Sequence, residues 1–335
     1  IPADPFVGPD PAGVYRADNH LWLFGWKDNT VFHAGPSRAM RWIDTGGAGS
    51  YSNAGNRAND PYAMNGNAVM YEPGKILTVG GAPAYDDGVA TTNASVIDIT
   101  GSTVTSRTVG SMANARGFHS SVVLPNGEVV VTGGQEVTVA FSDDRSILET
   151  EIWDPDTESF RSAAPMSVPR NYHSLSLLLA DGRVLVGGGG LCGNCATNHA
   201  DVQIFTPPYL LDENGDDAVR PRIISAPQSV DLNETFRVTT NRPVTDVALV
   251  RMASATHAVN NDQRRIPLSF TPAAGNLAYN VVTPADGGVA IPGAYMLFAL
   301  DGDGVPSVAS VLTVSTDPVS YTHLRAHETK TRISF

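Results

Sequence analysis

Four short apolar segments that end in glycine are spaced almost evenly along the first two-thirds of the chain, and this spacing constrains the fold more than any other feature. They are Val31-Phe-His-Ala-Gly35, Lys75-Ile-Leu-Thr-Val-Gly-Gly81, Glu128-Val-Val-Val-Thr-Gly-Gly134 and Arg183-Val-Leu-Val-Gly-Gly188. With Gly35, Gly80, Gly133 and Gly187 as markers, the intervals are 45, 53 and 54 residues. A repeat of about 50 residues built around one buried strand is the period of a four-stranded propeller blade. The strand before the glycines is covered on both faces and so is uniformly apolar, and the glycines let a neighbouring blade's backbone come close. Glu151-Ile-Trp-Asp-Pro155 reads as an outer strand leaving through an Asp-Pro-Asp turn, and Gln203-Ile-Phe-Thr-Pro207 repeats it. Composition agrees: 32 Gly and 23 Pro in 335 residues, with 17% charged residues, favour many short strands over long helices.

Arg220-Pro-Arg-Ile-Ile-Ser-Ala-Pro227 marks a shift of pattern. Alternating segments follow, among them Thr235–Thr240, Asp246–Val250 and Tyr295–Leu300, at the spacing of a β-sandwich of about 100 residues. The expected division is a propeller part over 1–212, a sandwich over 218–316, and an unrelated, disordered tail over 317–335. The tail is mildly basic, and its His323 and His327 are read as unconnected with metal. A net charge of −12 argues against nucleic acid or an anionic membrane as partner. No apolar run reaches the roughly 18 residues of a membrane span, and Ile1-Pro-Ala-Asp-Pro5 lacks the basic-then-apolar pattern of a signal peptide.

Two segments carry chemistry. Arg170-Asn-Tyr-His-Ser174 precedes Gly187-Gly-Gly-Gly-Leu-Cys192-Gly-Asn-Cys195 and Thr197-Asn-His199-Ala-Asp-Val-Gln-Ile-Phe205, and Ala255-Thr-His257-Ala-Val-Asn-Asn-Asp-Gln-Arg-Arg265 follows in the sandwich part. Two imidazoles with a phenol suit a tetragonal Cu(II) site better than zinc. The Cys192–Cys195 spacing admits a redox pair, half of a zinc site or a tight-loop disulfide. The glycine run before it disfavours the helix that a redox pair needs, and zinc would need two further ligands. His20, His33 and His199 are read as structural. Asn93-Ala-Ser95 and Asn233-Glu-Thr235 are glycosylation sequons.

Taken together and in this order, the motifs resemble the galactose oxidase family, the copper-radical oxidases, from about residue 13 to about residue 315. The resemblance implies an all-β fold: a partial kelch-type β-propeller, about four of seven blades, followed by an immunoglobulin-like β-sandwich, one loop of which threads the propeller channel. A genuine four-bladed propeller is the alternative. It further implies that His173 and His257 hold copper, that Tyr172 is the axial ligand and the base for the alcohol proton, and that Cys192 and Cys195 form a structural disulfide in a secreted, monomeric protein. The substrate pocket carries over as Arg16, within Tyr15-Arg-Ala-Asp-Asn-His20, together with Tyr85, Asp86, Phe118 and Phe141.

The pattern is broken twice. Asp86 stands where galactose-specific members carry glutamine, and Ala140 stands where the pattern has proline. The family's other half-site, a tyrosyl radical cross-linked to a cysteine under a tryptophan, has no counterpart in this chain. The expected activity is oxidation of a primary alcohol, that of a galactose-like sugar, with O2 to an aldehyde and H2O2, in a longer parent protein, with the 335 residues alone inactive. The alternatives are the same chemistry on non-sugar primary alcohols, or a propeller that only binds carbohydrate or protein.

Overall fold

The computed structural model describes residues 20–58, 62–252, 254–275 and 277–316. Arg16 and the 317–335 tail therefore lie outside the described residues. Among those described, the regular elements are all strands apart from one 3-10 turn, Pro208–Leu210.

The glycine repeat builds four antiparallel sheets. The first runs Trp22–Trp26, Thr30–Gly35, Ala39–Asp44 and Ser50–Asn56; the second Asn67–Glu72, Lys75–Val79, Ala94–Asp98 and Thr105–Thr108. The third is Gly117–Val123, Val129–Gln135, Thr150–Asp154 and Ser159–Ala163, and the fourth has three strands, Ser174–Leu178, Val184–Gly188 and Val202–Phe205. Each expected glycine-ended strand is the second of its sheet, and Val129–Gln135 is buried throughout. The segment around Trp153 differs from expectation. It is the third strand of its blade, with Ser159–Ala163 outside it, because the Asp-Pro-Asp turn folds the chain back for one more pairing.

Close approach at the diglycines is visible atom by atom. Gly81 N–H donates to the Arg116 carbonyl (2.9 Å) and Gly134 N–H to the Arg170 carbonyl (2.8 Å), stitching each blade to the next. A Cβ on Gly133, whose φ is +68°, would lie 2.1 Å from the Arg170 oxygen, so no other residue fits there. Arg116 is fully buried and donates to Gly133 O (2.9 Å), Glu149 O (3.1 Å) and the equally buried Glu151 carboxylate (2.6 Å). Glu151 also accepts from the Ala113 and Asn114 amides (2.7 and 3.2 Å). Glu151→Ala strands a buried guanidinium and is expected to cost about 3–5 kcal/mol, with Glu151→Gln costing less, read as a shift in the urea midpoint.

The later strands form two sheets. One pairs Ile223–Ser225, Thr235–Thr240, Ala278–Val282 and Ser269–Pro272; the other pairs Ser229–Asp231, Ser310–Ser315, Gly293–Leu300, Asp246–Arg251 and Arg265–Pro267. Strand Gly293–Leu300 explains how the sandwich is fastened to the blades. Tyr295, Leu297 and Ala299 enter the sandwich core, whereas Met296, Phe298 and Leu300 join the core of the propeller sheets. Alternation on a pleated strand serves two cores at once, so the segment is apolar without a break.

The loop between Asp246–Arg251 and Arg265–Pro267 runs along the inner strands of all four blades. Asn261 Nδ2 donates to Leu21 O (2.8 Å) and its Oδ1 accepts from Leu23 N–H (3.1 Å). Gln263 O accepts from Met70 N–H (3.4 Å), its Oε1 accepts from Val123 N–H (2.6 Å), and its Nε2 donates to Ser121 O (3.1 Å). Ala258 N–H donates to Ser174 O (3.2 Å). Gln263 is 2% exposed, so its amide replaces water for inner-strand groups that no neighbouring strand reaches. This axle carries His257.

Candidate metal centre

His257, at the head of the axle, meets Tyr172 and His173, which lie in the loop entering the fourth blade. The Tyr172 and His173 rings stack with centroids 3.8 Å apart. His257 stands 4.7 Å from His173 and 5.7 Å from Tyr172, both edge-on. All three residues are half-buried. His173 Nδ1–H donates to the Gly190 carbonyl (2.6 Å), an oxygen that can only accept, which in the neutral ring leaves the lone pair on Nε2. Metal-binding imidazoles are commonly oriented in this way by a backbone carbonyl. His257 Nδ1 pairs with the Thr256 hydroxyl at 2.9 Å.

Gly190 is itself held by the disulfide loop. Cys192 and Cys195 are joined, with Cα atoms 5.6 Å apart. Within the loop Asn198 Oδ1 accepts from the Leu191 and Cys192 amides (2.6 and 3.1 Å). A Cβ on Gly190 would sit 2.3 Å from the Thr197 carbonyl, so glycine is required where the loop folds onto itself. His199, beyond it, pairs with Asp143 at 2.9 Å.

The other pocket residues of the described chain gather on the same spot. Phe118 and Tyr85 are buried, and their rings stand 5.2 and 6.2 Å from that of Tyr172. Phe141 is 43% exposed, 4.9 Å from Tyr172 and 5.6 Å from His173. Asp86 is half-buried beside Tyr85, and its Oδ1 accepts the Ala140 N–H at 3.1 Å.

Sequence reasoning read His20 as structural, whereas its ring stacks on His257 at 4.6 Å; its place at the end of the Tyr15–His20 run was the available signal. It also passed over an internal echo. Arg116-Gly-Phe-His-Ser120 and Arg170-Asn-Tyr-His-Ser174 occupy the same place in successive blades, with Tyr172 at the position of Phe118 and His173 at that of His119. His119 is fully buried, and burial with the nearby Arg116 pushes its pKa down to about 3. One copy is thus a neutral core histidine, and the other is half-buried and meets His257.

Backbone strain concentrates here. Among the described residues sixteen non-glycine positions have positive φ, and the ring-bearing ones are Phe118, Phe141, His173 and His257. Left-handed backbone is costly for bulky side chains and persists where the surroundings over-determine it, most often at functional sites.

The donor set fits copper in part. Two imidazoles and a phenol are acceptable to Cu(II), which tolerates tetragonal N/O sets. Among the described residues no cluster of three or more His, Cys, Asp or Glu side chains could hold a metal, so the phenol of Tyr172 is needed as third donor.

Comparison with known proteins decides the family. A profile of the glyoxal oxidase N-terminus matches residues 14–209, and one of the galactose oxidase-like early set domain matches 220–314. The chain belongs to the galactose oxidase family of copper-radical oxidases. Galactose oxidase from Gibberella zeae is 48% identical over 322 residues, which cover 93% of this chain and 47% of that protein. An aldehyde oxidase from Vitis pseudoreticulata is 33% identical over 56% of this chain and 39% of its own length. A solved structure, described as a novel fungal alcohol oxidase with catalytic diversity among the AA5 family, in complex with copper, superposes with a TM-score of 0.90. It is 41% identical, with 94% of this chain and 66% of that one covered. The chain spans about half the length of the curated galactose oxidase it matches.

Proposed function

We propose that Tyr172, His173 and His257 hold a copper ion and that the protein containing this chain oxidises primary alcohols to aldehydes while reducing O2 to H2O2. The observation that carries the reading is the meeting of the three rings from two distant parts of the chain, with His173 already turned by Gly190. Copper, when bound, supplies a Lewis acid and a one-electron acceptor. Tyr172 Oη takes the hydroxyl proton of the alcohol, and Phe118 and Phe141 wall the carbon skeleton and keep water from it.

The oxidation removes two electrons. The family's second one-electron site, the cross-linked tyrosine–cysteine radical, is not supplied by these residues, because both cysteines are already joined to each other. The 335 residues alone are therefore inactive. A galactose-like primary alcohol is the leading substrate, supported by the 48% identity to galactose oxidase. A second reading, non-sugar primary alcohols, is favoured by Asp86, one of whose oxygens is already occupied by Ala140 N–H. The disulfide supports secretion. Of the two sequons, Asn233 is exposed in a turn, whereas Ser95 of the other is buried within a blade. The net charge of −12 supports a protein that binds neither nucleic acid nor anionic membrane, and it is proposed to act as a monomer.

The test is a peroxide assay with galactose and with benzyl alcohol, on the isolated chain and on the intact protein. Peroxide only from the copper-loaded intact protein is expected. Turnover by the isolated chain would overturn the claim that its second electron site lies elsewhere.

A further inference from the structure

Phe141 combines features that do not sit together by default. Its ring packs edge-on against both Tyr172 and His173, it is 43% exposed, and its φ is +59°. Burial does not hold such a residue, and its backbone strain works against it, so its position must come from how the loop around it is tied.

The ties lie on two sides. From the fourth blade, Asn171 Nδ2 donates to Ser142 O (3.0 Å) and Ser146 Oγ (2.7 Å), and His199 pairs with Asp143 (2.9 Å). From the second blade, Val89 and Gly88 pair with Val137 and Thr138 in a two-stranded ribbon. Buried Thr138 accepts from Gly88 N–H (3.1 Å) and donates to Ala84 O (3.3 Å), while Asp87 N–H donates to Thr138 O (2.6 Å). The ribbon ends at Thr138. Between it and Phe141 the second blade holds the loop through the bond from Ala140 N–H to Asp86 Oδ1 at 3.1 Å.

We propose that Asp86 is a positioning residue: through the Ala140 amide it latches the Phe141 loop of one blade to the Tyr85 loop of the blade before it, fixing the Phe141 wall over Tyr172 and His173. Asp86 neighbours Tyr85, whose ring meets Tyr172 at 6.2 Å, so the latch ties two walls of one pocket together. A carboxylate is suited to this, because a charge-assisted bond to a backbone N–H is stronger than a neutral one. The geometry of the latch does not depend on copper, whereas its effect on substrate rests on the reading under Proposed function.

Hydrogen exchange of the 136–146 peptide and steady-state kinetics of the copper-loaded intact protein test it together. Asp86→Ala is expected to speed exchange in that peptide about 10-fold, the loss of one bond to a charged acceptor. Asp86→Asn, whose Oδ1 still accepts, should recover most of the protection. Ala140→Pro removes the N–H, and in that background Asp86→Ala should add little. In kinetics, Asp86→Ala should raise KM about 5–10-fold with a smaller change in kcat, and Asp86→Asn should lie nearer the parent. Unchanged exchange in Asp86→Ala, or effects of Asp86→Ala and Ala140→Pro that simply add, overturns the latch. Unchanged exchange with KM raised equally by Ala and Asn overturns it in favour of a carboxylate that touches substrate. If the intact protein binds no copper, the exchange cycle still decides the latch while the oxidase reading falls.

Discussion

His257→Ala is expected to weaken Cu(II) binding by about 100-fold or more, because even groups that merely orient a metal ligand are commonly worth 10–100-fold. His257 enters from the sandwich loop, so its loss leaves Tyr172 and His173 as a two-donor remnant. The loop itself should hold, because its anchors are Asn261, Gln263 and the Ala258 amide rather than the imidazole. Competition titration with a chelator gives the affinity, and the Cu(II) electron paramagnetic resonance signal reports loss of one nitrogen. Unaltered affinity with an unaltered signal would remove His257 from the site.

A steep loss of stability in acid is the second large effect. His33 and His119 are fully buried, and both have pKa values pushed down to about 3. Burial is the main cause, followed by Arg41 and Arg57 for His33 and by Arg116 for His119. The ordinary value is 6.5, so as pH falls below it the unfolded chain takes up protons that the folded chain refuses. Their stabilising contribution is complete above about pH 6.5 and is lost as pH falls toward 3. At about 1.4 kcal/mol per pH unit for each group, the two together remove about 5 kcal/mol between roughly pH 5.5 and 3.5. That is comparable with the whole stability of many domains. Urea midpoints should fall steeply below pH 6, and a flat profile from pH 7 to 4.5 would refute the assignment.

What could be read before any coordinates was what repeats or alternates. The diglycines located the second strand of each later blade, and the period-two segments located the sandwich, because both patterns are imposed by local burial. Less legible was whatever depends on which blade faces which. The Arg-x-aromatic-His pattern alone does not separate His119 from His173; it was Tyr172 and the Gly187–Cys195 run after it that singled out His173. Their difference arises only when one blade turns its loop toward the axle. His20 was read as merely structural for the same reason, its partner lying more than two hundred residues along the chain. The bond between Asp86 and Ala140 joins two sites that sequence comparison treats as separate departures.

The axle also sets a timetable. Asn261 bonds Leu21 across 240 residues, so the inner edge of the first blade gains this partner only when the sandwich segment arrives. At translation speeds of about 5–20 residues per second, that is a wait of roughly 10–50 s, during which inner-strand amides and carbonyls remain open to water or to other chains. Early blades can pair their own hairpins in microseconds, yet the three-ring site cannot close before residue 257 has been made. A nascent chain halted before residue 257 would hold Tyr172 and His173 with nothing to close over them, which makes the sandwich loop a checkpoint for completeness as well as a supplier of a side chain.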